Sequence, residues 1–355
     1  MKLVNSTVAK NICKLAAIRR GVSVEQAEWF AHALVETSLM GIDTHGIRLL
    51  TTYLRELDEG RSNPLPSFKI INQKGGAVAL DADSALGTVA GTYAAHLACD
   101  LASEYGIGAV SVRNSNHFGA ASTYGKVIAN KGMLGLVTTS AAARMAPFNG
   151  LAAMFGTNPI CFAAPGTNGN HYLLDMATSQ ISYSQIKYYR KNNKPLPSGW
   201  ALSASGEFTS DPAQVVSLAP LGGYKGQGLA MMVQILSCLL STMPLDHELE
   251  HFDTGSFVNG RNIGHFLIAI DISAFTDLDQ FQNAVSELMK IVKNSPARSG
   301  QQIFVAGDLQ EISRIKRLKE GIPLNEEEFN ELLKEGQKLG IDMPSESLSI
   351  SESPL

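Results

Sequence analysis

Three polar stretches hold the side chains that could move a proton or grip an anion. Asn114-Ser115-Asn116-His117-Phe118-Gly119 places one histidine in a turn between an apolar, β-branched run and an alanine-rich helical pattern. Gly41-Ile42-Asp43-Thr44-His45-Gly46 places a second histidine in a glycine-flanked turn between two amphipathic patterns. Gly222-Gly223-Tyr224-Lys225-Gly226-Gln227-Gly228 opens a long helical pattern with a lysine in its first turn. Histidine changes charge near neutral pH, so His117 and His45 suit general acid/base work. Free N–H groups and a lysine at a helix start suit a phosphate or another anion. Each stretch has a plainer alternative: Asn114, Asn116 and His117 satisfying a tight strand-to-helix turn, His45 capping a helix, and glycines simply turning the chain.

A fourth stretch, His247-Glu248-Leu249-Glu250-His251, matches the H-E-x-x-H pattern of zinc hydrolases. That chemistry needs both histidines on one helical face and a third ligand. Pro244 upstream and Asp253-Thr254-Gly255 downstream leave too little room for the helix, so the stretch reads as an acidic surface loop and no metal is expected. Gly156-Thr157-Asn158-Pro159 before a strand and Asp175-Met176-Ala177-Thr178-Ser179 between a strand and a helix are further polar turns. No G-x-G-x-x-G follows a strand, which argues against a Rossmann dinucleotide fold. His32, His96 and His171 read as structural, and His265 is open to either reading.

The elements that must carry these turns alternate. Ser6 and Ser23 are candidate caps for two helices, the second with Gln26 three residues on, and a third helix carries Ile47, Leu50, Tyr53, Leu54 and Leu57 towards Gly60. After Asn63-Pro64-Leu65-Pro66 come strand patterns at 68–71 and 77–80, a helix at 87–105, strands at 106–112 and 133–139, and a helix at 120–131 between those two. Strands at 160–164, 172–174 and 265–271, helices at 225–240 and 281–293, and two charged helices at 310–319 and 325–339 complete an α/β pattern. Residues 1–66 read as a helical arm and 67–309 as the α/β body, with 310–342 rejoining the arm and 343–355 a Ser/Glu-rich disordered tail.

A chain of 355 residues with 45% hydrophobic and 17% charged residues is built to bury a large core. A net charge of -4 lends no support to a nucleic-acid role. The longest apolar run, 228–240, is too short to span a bilayer, and residues 1–10 lack a signal-peptide core. Four cysteines, widely spaced in apolar segments, suit buried thiols in a reducing compartment, so a cytoplasmic protein is expected.

Together these stretches resemble the type 2 malate/L-lactate dehydrogenases, the sulfolactate-dehydrogenase-like oxidoreductases that include ureidoglycolate dehydrogenase and diketogulonate reductase. The resemblance rests on Thr44-His45-Gly46 with Tyr53 downstream, Asn116 to Gly119, Gly156 to Pro159, Asp175 to Ser179, Gly199-Trp200-Ala201-Leu202, Pro220 to Gly226 and Gly264 to Asp271, in the family's order. It implies hydride transfer between NAD or NADP and a small 2-hydroxy or 2-oxo acid. It also implies a non-Rossmann, mixed-sheet cofactor domain with an N-terminal helical arm and C-terminal helices, and a homodimer. By the resemblance His45 and His117 line the reaction site, and Arg48 clamps the substrate carboxylate. Many relatives carry that arginine one position later, where this chain has Leu49. Leu174, Asp175, Met176, Ala177, Thr178, Ser179, Gln180, Tyr224, Lys225, Gly307, Asp308 and Leu309 match the family's cofactor contacts, although the late turn reads Ala306-Gly307-Asp308 where relatives carry Pro-Gly-Glu. The competing expectations are a cyclic imine carboxylate reductase using the same site, a zinc hydrolase built on His247 and His251, and a member that only binds nucleotide.

Overall fold

A computed structural model describes residues 1–252 and 255–341, so the tail at 343–355 lies outside the described residues. The chain opens with strand β1 (Lys2–Val4) and helices α1 (Ser6–Ile18), α2 (Val24–Leu39) and α3 (Leu50–Asp58). Asn5, not Ser6, caps α1, because its side chain accepts from the N–H groups of Thr7 and Val8 while Ser6 is already helical. Ser23 caps α2 through the N–H of Gln26.

Next come β2 (Lys69–Lys74), β3 (Ala77–Asp81), α4 (Gly87–Tyr105), β4 (Ile107–Ser115), α5 (Ala121–Asn130), β5 (Met133–Thr139), β6 (Ile160–Ala164) and β7 (Tyr172–Met176). They are followed by α6 (Tyr183–Lys191), β8 (Ala201–Leu202), β9 (Ser217–Leu218), α7 (Tyr224–Gln234), β10 (Ile263–Asp271), α8 (Leu278–Lys293), α9 (Asp308–Glu320), β11 (Ile322–Leu324) and α10 (Glu326–Lys338). Seven strands form one sheet in the order β2-β3-β4-β10-β5-β6-β7. Only the β3–β4 pair is parallel, joined by α4, so the sheet is mixed and not a Rossmann sheet.

Helices α4 and α5 cover one face: Ala94, Ala98 and Ile128 share a buried cluster with Leu80, Val110, Val112, Val137 and Leu267. Against the other face lies α7 with the π-turn Ile235–Leu239 that continues it, and Thr138 and Ser237 meet there through their hydroxyls at 2.8 Å. The expected single helix at 225–240 therefore changes pitch after Gln234. A second apolar cluster joins α1, α2 and α3 to β11 and α10, with Phe30, Leu34, Leu54, Ile322, Phe329 and Leu332 at its centre. The pairing of β1 with β11, Lys2 opposite Leu324, ties the chain's beginning to that cluster. Both strands were missed in the sequence because three residues carry no periodicity.

Candidate active site

β4 runs three residues further than the expected 106–112, so Arg113 to Ser115 belong to the strand and the turn proper begins at Asn116. Asn116 is a packing residue. Fully buried, it donates through its amide to the carbonyls of Ser84 and Ala85 at 3.0 Å and accepts from the Arg261 N–H at 2.9 Å. Asn114 likewise binds the Asp81 carboxylate at 2.8 Å. The backbone of α4 comes close beneath: a Cβ on Gly87 would sit 2.2 Å from the Asn116 carbonyl and 2.4 Å from that of His117. A glycine is required there. Past His117, Gly119 turns the chain at φ +77°.

His117 thus projects from a rigid support. The Tyr53 hydroxyl of α3 lies 2.7 Å from its Nδ1, and the Phe252 ring lies 4.4 Å away. His45, in a 3-10 turn between α2 and α3, stacks over His117 with ring centroids 5.7 Å apart. Its Nδ1 meets the Thr44 hydroxyl at 2.7 Å. Burial holds both imidazoles in the neutral form. His45 is pushed down to about 4, with Arg48 adding to the effect, and His117 is pushed well below the usual histidine value, with His45, Arg261 and His265 adding.

The two rings line a cavity of about 260 Å³, whose wall also includes Arg48, Arg144, Lys187, His251, Phe252, Arg261, Thr139 and Ser140. Arg48 reaches it from the turn before α3, where its Nε lies 4.0 Å from Glu328, so it is held loosely. Arg144, stacked on Tyr183 at 3.9 Å, and Arg261 were not singled out in the sequence: they lie in loops that have no pattern until the fold brings them together.

His265 is fully buried in β10 between the hydroxyls of Thr139 and Ser115, each at 2.7 Å, with Phe118 stacked on it. The structure settles its two readings in favour of a core histidine. The 247–251 stretch is not a helix; a 3-10 turn over Asp246–Glu248 gives way to extended backbone at Leu249, so its two histidines are not on one helical face. His247, Glu248 and Glu250 are exposed, as an acidic surface loop requires, whereas Asp246 just before the stretch is fully buried.

The expected cofactor residues fall in two groups. Leu174, Asp175 and Met176 lie in β7, so the expected loop begins only at Ala177. Asp175 accepts from the Ser122 N–H at 2.8 Å and thereby caps α5, and burial raises its carboxyl above the usual range. Thr178 and Gln180 bind the backbone of Thr157 and Ala219, and the Gln180 side chain accepts from Gly222, so this loop touches the turn before α7. There Tyr224 and Lys225 are exposed in the first turn of α7, Gly222 opens to free space, and a Cβ on Gly226 would meet Leu221 N at 2.4 Å. A helix start with an exposed lysine and bare glycines fits the phosphates of a dinucleotide. Gly307, Asp308 and Leu309 lie apart from that turn: Gly307, at φ +101°, packs on Leu173 at the start of β7, and Asp308 binds Lys293 at 3.1 Å while Leu309 is exposed.

The family model for malate/L-lactate dehydrogenase matches residues 4–333. The malate dehydrogenase of Pyrococcus abyssi is 36% identical over 332 residues, 90% of this chain and 90% of that one. The L-sulfolactate dehydrogenase of Methanocaldococcus jannaschii is 33% identical, across 91% of this chain and 93% of that one. The solved structure of sulfolactate dehydrogenase from the same organism overlays with a TM-score of 0.89 at 31% identity, covering 96% of this chain and 98% of that chain. These likenesses define an oxidoreductase that acts on a CH–OH group. The chain belongs to the malate/L-lactate dehydrogenase family, which implies a nicotinamide cofactor.

Proposed function

We propose that this protein interconverts a small 2-hydroxy acid and its 2-oxo acid, of the malate or lactate type, with NAD or NADP. The reading is carried by the stacked pair His45 and His117 on the wall of a cavity that Arg48, Arg144 and Arg261 also line. The nicotinamide supplies or accepts the hydride at C2. In the reducing direction His117 gives a proton to the carbonyl oxygen, and in the oxidising direction its neutral ring takes the hydroxyl proton. The Tyr53 phenol oxygen, kept un-ionised by burial, accepts the Nδ1–H of neutral His117 and leaves the Nε2 lone pair free to take the hydroxyl proton, which the protonated ring returns in the reducing direction. His45 orients the substrate or shares the proton, and Arg48 supplies the cation for the carboxylate.

Leu174 to Gln180, Tyr224, Lys225 and Gly307 to Leu309 are proposed to hold the dinucleotide; the helix start at Lys225 supports the phosphate part of that assignment. No metal takes part. A homodimer is supported by the sheet face opposite α4 and α5, where Leu136, Phe162 and Leu174 share one register row and Phe162 is exposed. The buried state of all four cysteines suits the reducing cytoplasm. A panel of mono- and dianionic 2-oxo acids and one cyclic imine carboxylate, followed at the reduced-nicotinamide absorbance with NADH and NADPH, tests the proposal. Consumption of neither cofactor with any acid overturns it, and consumption with the imine alone moves the activity to imine reduction.

A further inference from the structure

The 247–251 stretch finds no use in the proposed chemistry, yet the residue before it is one of the most enclosed acids in the molecule. Asp246 has 0% exposure. A single carboxylate oxygen, Oδ2, accepts from the Gly156 N–H at 2.9 Å, the Asn158 amide at 2.7 Å and the Gln234 amide at 2.7 Å. Oδ1 faces the Cys238 thiol at 3.8 Å, and the Asp246 carbonyl accepts from the Ala143 N–H at 3.0 Å. The donors around this carboxylate are amides and a thiol, so dipoles balance its charge.

The donors come from separate parts of the site. Ala141 and Ala142, adjoining Ala143, line the substrate cavity, as does Thr157 between Gly156 and Asn158. Thr157 in turn receives the N–H of Thr178 at 2.8 Å, in the loop assigned to the cofactor. Gln234 ends α7, whose other end carries Lys225. We propose that Asp246 is a positioning residue: one buried carboxylate that locks the cavity wall, the Gly156–Asn158 turn and α7 into a single frame, so that cofactor and substrate are presented to each other in register. The inference rests on the proposed function for its cofactor half. The H-E-x-x-H stretch is then the strut that delivers Asp246 to the frame and His251 to the cavity mouth.

Asp246→Asn keeps the size but offers one weaker acceptor oxygen, or turns an NH₂ onto three donors. Gln234→Met removes the α7 link to Asp246 together with a longer contact, 3.5 Å, to the Met154 carbonyl. Both are assayed as folded full-length chains, checked by circular dichroism and sedimentation, with His247→Ala as an exposed neighbour. Dinucleotide affinity is read by fluorescence of the reduced cofactor, kcat and KM by turnover, and wall rigidity by hydrogen exchange of the amides at 141–143 and 156–158. Asp246→Asn is expected to weaken cofactor binding about tenfold or more, to lower kcat with it, and to speed exchange at both wall segments, while the β4 amides are unchanged. Gln234→Met is expected to weaken the cofactor more than the substrate, and His247→Ala to change neither. Unchanged exchange at the wall, or loosened walls with cofactor affinity and kcat within about twofold of wild type, overturns the inference. If Asp246→Asn does not fold, Gln234→Met decides by the same criteria. Wild-type protein that binds neither dinucleotide overturns the proposed function instead, and the exchange arm still decides whether Asp246 holds the frame.

Discussion

At the scale of single residues, two neutral histidines set the expected pH behaviour. Unfolded histidine protonates near pH 6.5, whereas folded His45 does so at about 4 and His117 is shifted in the same direction. The folded state therefore binds fewer protons than the unfolded state between those values. The stability this contributes is fully present above about pH 6.5 and is lost as pH falls towards 4. Urea titrations at pH 7 and pH 5 should show the loss, and His45→Gln should reduce it; an identical pH slope in the variant counts against a buried neutral His45. Chemistry has its own test. His117→Gln keeps a hydrogen-bonding side chain but cannot exchange a proton, so kcat should fall about a hundred- to ten-thousand-fold with cofactor affinity nearly intact. Near-normal turnover in that variant with an inactive His45→Gln would reverse the two roles. Lys225→Met should act on the other half of the site, weakening cofactor binding about tenfold with little change in substrate KM; an unchanged dissociation constant removes Lys225 from the cofactor site.

At the scale of elements, the site was legible in proportion to its local pattern. Helix α4 and strands β5 and β6 fall at 87–105, 133–139 and 160–164 as expected, because their apolar periodicity is unbroken and glycines or turns bound them. Strand β7 was cut short at Leu174 because Asp175 looks like a loop residue, although its side chain is spent on capping α5. The short strands β8 and β9 and the helix α6 carry too little pattern to be placed. The wall formed by Arg144, Lys187 and Arg261 could not be foreseen from any one segment. Even the anchoring of that wall is long-range. Arg61, fully buried, ion-pairs with Glu56 of α3 at 3.3 Å, donates to the carbonyls of Phe252 and Ser256, and stacks on Phe257 at 3.6 Å. One helix thereby holds both Tyr53 against His117 and the loop that lays Phe252 on the same ring. Arg61→Met takes away the guanidinium hydrogen-bonded to buried Glu56 and leaves Arg261 as its remaining cationic neighbour, and removal of one partner of such a pair costs about 3–5 kcal/mol. Chemical unfolding should show that loss together with a raised substrate KM. A variant as stable as wild type would mean that the Glu56 pair contributes nothing to the fold.

At the scale of the whole molecule, the proposed site is assembled from more than one core. His45 and Tyr53 come from the arm, whose apolar cluster is completed by β11 and α10 from the far end of the chain, while His117 adjoins the sheet's cluster through Phe118 and the loops beside α7 pack on a third cluster with Ile181, Leu218 and Ala230. The reading of 310–342 as rejoining the arm names the two partners; the β1–β11 pairing that connects the ends physically has no local signal, since its register joins residues more than three hundred positions apart. This arrangement makes a separable prediction. Phe329 of α10 is 1% exposed in the arm's cluster, and truncating such a side chain to alanine costs about 3–5 kcal/mol. Phe329→Ala should loosen the arm and misplace His45 and Tyr53 without touching Lys225 or the loop at 177–180. Turnover should therefore fall at temperatures where reduced-cofactor binding, read by fluorescence, still persists. Hydrogen exchange should rise in α1 to α3 before it rises in β4 and β5, because the two clusters share only part of their surfaces, where α2 packs on α4 and α5 and Tyr53 meets the His117 turn. Simultaneous loss of cofactor binding and turnover, with uniform exchange across both clusters, would show that arm and sheet unfold as one cooperative unit.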